Sequence, residues 1–144
     1  MNDLSDILGD VIYSYTRAQA IADGVLVDVT ETAKEAGFRW PVAITRTAWE
    51  DCVAWSDEDS ERQAHQDESG RLWDILSMAI NAIRLAASNA RKGVPQDPSL
   101  MLFELYRVPR DGKSIRPQLT RLKLVAGPGD DAEPVITIML PNED

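Results

Sequence analysis

The residues most able to do chemistry lie in an acidic segment, residues 50–74, which holds nine carboxylates and two basic residues. Carboxylates spaced along a surface can imitate nucleic-acid phosphates and attract a protein that normally binds DNA or RNA. Tryptophans bracket the segment and favour one that is held against the rest of the protein. A solubilising loop is the simpler interpretation and stays open. The predicted partner-binding surface, with its two tryptophans as anchors, comprises Asp51, Trp55, Asp57, Glu58, Asp59, Glu61, Asp67 and Trp73.

A basic segment follows, because residues 84–123 carry nine basic and three acidic residues. Most of these bases surround the first predicted hairpin: Arg107, Arg110, Lys113, Arg116, Arg121 and Lys123. Such a hairpin could hold phosphate or an acidic partner. It could equally pair with the acidic segment of the same molecule, and the sequence leaves both interpretations open.

A third group of candidate residues precedes a short predicted helix near the N-terminus. Tyrosine and arginine are enriched in binding hot spots, and both occur here, with an aspartate after the next strand. The alternative prediction is therefore a nucleotide or other small anionic ligand, bound by stacking and charge-assisted hydrogen bonds. Its residues are Tyr13, Tyr15, Arg17, Asp28, Arg71 and Arg110. The simpler interpretation is that the tyrosines pack on the core with their hydroxyls at its rim.

No catalytic or metal-binding motif stands out. His65 is the only histidine and lies in a polar stretch, where we expect it to be solvated. Cys52 is the only cysteine, lies on an apolar helix stripe, and has acidic neighbours that would raise its pKa. One histidine and one cysteine cannot supply a usual zinc site. We expect no metal and no cofactor, and favour a non-catalytic protein over an enzyme built from arginine, tyrosine and carboxylates.

Composition sets the class of protein. The 144 residues, 44% apolar and 27% charged, predict one folded domain over residues 1–144. The net charge of −9 argues against direct binding of nucleic acid. A single cysteine favours the reducing cytoplasm. No apolar run approaches the roughly 20 residues of a membrane span, and the acidic start lacks the apolar core of a signal peptide.

The elements that position these residues begin with a loose leader, residues 1–10. Two short helices follow at residues 16–24 and 30–37, each with a threonine near its start and a glycine at its end. A short strand lies between them at residues 25–29, and residues 38–44 are predicted to be an extended segment that leads into the next helix. Residues 45–55 are predicted to be helical, because their apolar residues recur at helical spacing. Residues 56–69 have almost no apolar residue and are predicted to be an acidic polar loop or a fully exposed turn of helix.

The second half predicts one long helix and three strands. Residues 70–92 place apolar side chains on one wide face and polar side chains on the other. Three strands are predicted, at residues 100–108, 119–126 and 135–140. Because glycine-containing turns join them, we expect an antiparallel meander. Since neither element can bury its apolar side alone, the long helix should cover the meander in an α+β fold. Open sheet edges could pair across a two-fold axis unless helices cover them, so the oligomeric state is left open.

Several stretches resemble an uncharacterised family of small acidic proteins carried by phages, plasmids and integrated elements of bacteria. They are VIYSYTRAQAIADGVLVDV at 11–29, SGRLWDIL at 69–76, VPRDG at 108–112, GPGD at 127–130 and EPVITIMLP at 133–141. The resemblance implies a setting in which proteins often counter host defence, and it implies no activity or catalytic residues. With the charge pattern, it predicts a non-catalytic cytoplasmic protein that binds a host macromolecule, most simply a protein, through the acidic surface.

Overall fold

The computed structural model describes residues 15–144, so the predicted leader at 1–10 and Tyr13 lie outside the described residues. The described chain alternates short helices and strands before one long helix and three longer strands. In chain order these are α1 (Arg17–Ala22), β1 (Leu26–Asp28), α2 (Thr30–Ala36), β2 (Val42–Thr45), α3 (Arg46–Cys52), α4 (Asp57–Arg62), α5 (Glu68–Arg91), β3 (Leu100–Arg107), β4 (Gln118–Pro128) and β5 (Pro134–Met139).

The strands form one five-stranded sheet in the order β1-β2-β5-β4-β3. The predicted C-terminal meander is present, since β3 pairs antiparallel with β4 and β4 with β5. The sheet has more strands than predicted, however, because β2 pairs parallel with β5 and β1 pairs antiparallel with β2. Residues 38–44 were predicted only to be extended, whereas the structure has an interior strand, β2, that begins within this segment. Its residues Val42, Ala43 and Ile44 are fully buried, as expected for a strand covered on both faces.

Local capping explains where the helices begin and end. Thr16 caps α1 in a reciprocal hydrogen-bonded box with Gln19, and Asp67 caps α5 by accepting from the Gly70 N–H at 2.6 Å. Gly37 ends α2 at φ +114°, a left-handed conformation that favours glycine. The predicted helices at 16–24, 30–37 and 70–92 are confirmed, with ends shifted by a few residues.

The core lies between α5 and one face of the sheet. The helix contributes Ile75, Leu76 and Ala79, and the strands contribute residues such as Leu122 and Ile138, all of them fully buried. Burying one such large aliphatic side chain is worth about 1.5 to 3 kcal/mol, so this layer supplies much of the stability. None of the helices between residues 15 and 144 is both long and apolar enough to cross a membrane.

Of the two alternatives predicted for residues 56–69, the polar loop is wrong and the turn of helix is closer to the structure. The segment contains helix α4 and the first turn of α5. Ser56 caps α4 and accepts from the Asp59 N–H, while the Asp59 side chain accepts from the Ser56 N–H. This reciprocal capping satisfies the free N–H groups of the first helical turn and allows a six-residue helix rich in charge to form.

Candidate functional site

Helix α4 and the start of α5 form an acidic surface patch, which we call the acidic knob. It is defined by five exposed carboxylate residues: Asp57, Glu58, Glu61, Asp67 and Glu68. Two contacts tie the two helices together. The Ser60 hydroxyl donates to the Gln66 carbonyl at 3.2 Å, and the Trp55 N–H donates to the Glu68 carboxylate at 3.3 Å. The two helices that carry the carboxylates are thus held in a fixed relative position.

The acidic knob is also joined to the connection between β3 and β4, residues 108–117. The Gln63 amide nitrogen donates to the carbonyls of Pro109 and Ser114, each at 2.7 Å, and its oxygen accepts from the Gly112 N–H. Asp111 holds the same connection from within, and hydrogen bonds, chiefly from the Ser114 hydroxyl, lower its pKa to about 2. Gln63 was not among the predicted site residues, and no local sequence signal identifies it.

Asp59 faces the base of the acidic knob rather than solvent. It is buried, and its carboxylate accepts from the Ser56 N–H and hydroxyl and from the Arg110 Nε at 2.7 Å. Burial is the largest single influence and raises the pKa of Asp59, but the hydrogen bonds from Ser56 and Arg110 together outweigh it and lower the pKa overall. Asp59 therefore braces the helix and is not available to a partner on the surface.

Replacing Asp59 with asparagine should lower the free energy of unfolding at pH 7 by about 2 kcal/mol, because the charge-assisted bond to Arg110 is lost. A lowered folded pKa stabilises the protein above the ordinary aspartate value of 3.8, and this contribution disappears as pH falls through the folded pKa. Urea unfolding at pH 7 and pH 3 should therefore show a gap between wild type and variant that narrows in acid. The exposed Asp57→Asn is the matched control, and an equal loss in both variants would contradict the assignment.

The acidic and basic segments pair within the molecule at the base of the acidic knob. Arg107 contacts Asp51 at 3.3 Å, and Arg110 contacts Glu50 at 3.5 Å in addition to Asp59. Further along the sheet Arg121 contacts Glu104. Part of the basic hairpin is thus engaged by carboxylates of its own chain, which resolves one of the alternatives that the sequence leaves open. Asp51 belongs to these internal pairs.

Arg71 lies at the centre of the contacts beneath the acidic knob. It is 5% exposed and its guanidinium lies 4.6 Å from the centre of the Trp55 ring. Its Nε donates to the Val53 carbonyl and its Nη1 to the Val108 carbonyl, both at 3.0 Å. Burial is the main cause that lowers the pKa of Arg71. Arg71 and the buried Trp55 therefore join the end of α3 to α5 and β3. Trp73, the second tryptophan predicted as an anchor, is exposed.

The residues of the alternative ligand site lie at separate positions. Arg17 and Asp28 line a pocket of about 200 Å³ together with Asp130 and Glu133, whose carboxylates repel a phosphate. The Arg17 guanidinium is already engaged, donating to the Thr137 hydroxyl at 2.8 Å and to a backbone carbonyl of β5. The remaining members lie elsewhere: Tyr15 donates its hydroxyl to Asp23 in a different cleft, Arg71 is buried, and Arg110 is at the base of the acidic knob.

The remaining candidate groups for chemistry are isolated. Cys52 is buried, and burial with the neighbouring Asp51 carboxylate raises its pKa to about 12. A thiol with this pKa is almost entirely protonated at neutral pH and is a poor nucleophile. His65 is exposed. Within residues 15–144 no group of three or more histidine, cysteine, aspartate or glutamate side chains is arranged to hold a metal ion.

Comparison with protein families gives a match along the whole chain, to a family whose function is not known. A family model described as a family of unknown function, DUF6573, matches residues 1–144. Neither the curated proteins nor the solved structures contain a match to the chain. Since the family model spans the full sequence, the chain belongs to the family of unknown function DUF6573.

Proposed function

We propose that this protein is a non-catalytic binding protein whose acidic knob contacts a cationic surface of a partner protein. The observation that supports this proposal most directly is the way in which charges are divided around α4. Arg107 and Arg110 are engaged by Glu50, Asp51 and Asp59 at the base, while the five carboxylates of the acidic knob face solvent. This separation presents a surface of net negative charge to a partner, since the five carboxylates outnumber the single basic residue of α4, Arg62.

Rigidity supports binding through this surface. The contacts of Gln63, Ser60 and Trp55 fix the backbone that carries the carboxylates before any partner arrives, so little backbone entropy is lost on association. The like charges concentrated on the acidic knob also steer a cationic partner and raise its association rate at low salt. Trp73, exposed on the second turn of α5, adds an apolar anchor of the kind enriched in binding hot spots.

The proposed biological setting is a mobile genetic element. Its support is the sequence resemblance to proteins of phages and plasmids described above. In that setting, the partner would be a nucleic-acid-binding or defence protein of the bacterial host, met in the cytoplasm. The carboxylates of the acidic knob would then occupy the cationic surface that the partner uses for DNA or RNA.

The test is an affinity capture from bacterial lysate with three immobilised forms of the protein. The knob variant carries Asp57→Asn, Glu58→Gln and Glu61→Gln. The control carries Glu31→Gln, Glu35→Gln and Asp131→Asn, which removes the same three charges from exposed positions outside the acidic knob. Each set includes one residue of an exposed ion pair within a helix, Glu58 with Arg62 and Glu31 with Lys34. We expect wild type and control to retain a protein that the knob variant loses.

Two further measurements define the partner. The captured protein should elute when a double-stranded oligonucleotide is added, because both compete for the same cationic surface. Retention should also weaken with added salt, since the Debye length falls from about 10 Å at 0.1 M to about 3 Å at 1 M. Identical capture by all three forms, or capture that is insensitive to the oligonucleotide, would show the proposed surface to be wrong.

A further inference from the structure

The two edges of the sheet differ strongly. At one edge β1 has three residues, whereas at the other edge β3 has eight and pairs with β4 without a break from Leu100 to Arg107. Edge strands are usually protected by proline, charged side chains such as lysine, a bulge or short length. β3 contains no proline or lysine, its register contains no bulge, and it is the longer edge. Its two charged residues, Glu104 and Arg107, are paired with Arg121 and Asp51 of the same chain. It is therefore open to pairing with another strand.

The direction of its free hydrogen-bonding groups follows from one contact. The Ala126 N–H donates to the Ser99 carbonyl, and these two residues are directly opposed in the register that pairs Leu100 with Val125. Because bonded and non-bonded pairs alternate, the odd-numbered residues of β3 bond to β4 and the even-numbered ones face outward. The N–H and carbonyl groups of Leu102, Glu104 and Tyr106 therefore point away from β4, at the outer edge of the described sheet.

Apolar side chains flank this open edge on both sides. On the sheet, Leu102 is 50% and Tyr106 is 67% exposed; on α5, Met78 is 42% and Leu85 is 62% exposed. Two grooves of about 510 and 550 Å³ run between α5 and β3 and share Met78 and Glu104. An added strand would therefore gain main-chain hydrogen bonds and cover apolar surface on both of its faces.

We propose that the occupant of this edge is β3 of a second copy of the chain, paired antiparallel about a two-fold axis at Phe103. This register sets Leu102 opposite Glu104 of the second copy and Leu100 opposite its Tyr106. The outward-facing residues of both strands are then opposed to one another, and the sheet continues from five strands to ten. Helices α5 of the two copies lie on the same face and bring Met78 and Leu85 to the interface.

The pairing of opposed side chains favours this register over the two neighbouring ones. Shifting the two-fold axis to residue 104 would oppose Glu104 to its own copy, which is destabilising. Shifting it to residue 102 would leave Tyr106 without a partner. In the proposed register no like charges are directly opposed, and each Glu104 keeps its contact of 3.3 Å with Arg121 of its own chain. The strand is thus complementary to itself in one register.

The first test measures the solution mass of the purified full-length protein by sedimentation equilibrium. We expect twice the chain mass of 16.0 kDa for the wild type. Leu102→Glu should return the mass to that of one chain, because each new carboxylate would lie directly opposite Glu104 of the second copy. Ile115→Glu makes the same change at an exposed residue of the connection 108–117 and should remain a dimer. A wild type with the mass of one chain, or a dimer unaffected by Leu102→Glu, would overturn the proposal.

The second test measures the register with engineered thiols. Directly opposed, bonded residues have Cα atoms about 5.5 Å apart, within the roughly 4.4 to 6.8 Å that a disulfide spans. A mixture of Leu102→Cys and Glu104→Cys chains should therefore oxidise chiefly to a disulfide joining one of each. The native Cys52 is buried and does not compete. Equal formation of all three disulfides, or none, would contradict pairing through β3 in this register.

Discussion

Replacing Arg71 with methionine should lower the free energy of unfolding by about 3 kcal/mol. The buried carbonyls of Val53 and Val108 would lose their donors, and each unsatisfied buried group costs about 1 to 3 kcal/mol. The contact with the Trp55 ring, worth about 1 to 2 kcal/mol, would also be lost. Removing a desolvated charge offsets part of this cost, but methionine cannot satisfy the carbonyls. Urea denaturation measures the difference.

Arg71→Lys is the matched control for this experiment. Lysine keeps the charge but cannot donate in the fixed fork that reaches two carbonyls, so we expect an intermediate loss. The larger effect of methionine should appear as a lower denaturation midpoint with an unchanged slope. A methionine variant within about 0.5 kcal/mol of the wild type would contradict the role of the guanidinium as the link beneath the acidic knob.

Leu76→Ala should also lower the free energy of unfolding by about 3 kcal/mol. Leu76 is fully buried between α5 and the sheet, and large-to-small changes in such positions cost about 2 to 5 kcal/mol through lost burial and the cavity left behind. Ile115→Ala removes apolar atoms from an exposed position and should change the free energy by less than about 0.5 kcal/mol. Equal destabilisation in thermal unfolding would contradict the placement of α5 on the sheet.

The parts of the fold that sequence reasoning predicted are those with local signals. The long helix follows from apolar spacing, and the ends of α1 and α2 follow from the capping Thr16 and from Gly37. The meander follows from three strands separated by short turn-rich connections. In each case the determining interactions join residues that are near each other in the chain, so one segment carries the information.

The parallel pairing of β2 with β5 could not be predicted from such signals. Val42 pairs with Ile136, far away in the chain, and Pro41 next to it suggested only an extended conformation. Three consecutive apolar residues, Val42, Ala43 and Ile44, fit a buried strand but equally fit part of a helix. Only the assembled sheet decides between them, because both faces of β2 are then covered.

The candidate surface was predicted as a region but not residue by residue. Part of the acidic segment is exposed, with Asp57, Glu58 and Glu61 on the outer side of α4. Asp59 lies only one or two positions from these residues, yet it faces inward because Arg110 reaches it from the connection after β3. The sequence supplies the sign of each charge, whereas the partner of each charge depends on contacts between distant segments. Trp55 faces inward for the same reason.

The position of β5 has a consequence for synthesis. β5 follows every other strand in the chain, yet it lies between β2 and β4 in the sheet. During translation, β1–β2 and β3–β4 can form only as separate antiparallel pairs until residues 134–139 leave the ribosome. Pairing of such distant segments has a high contact order and slows folding. The β2 edge that finally receives β5 therefore stays unpaired from the synthesis of residues 42–45 until residues 134–139 are made, and it is open to wrong pairing until the last strand inserts.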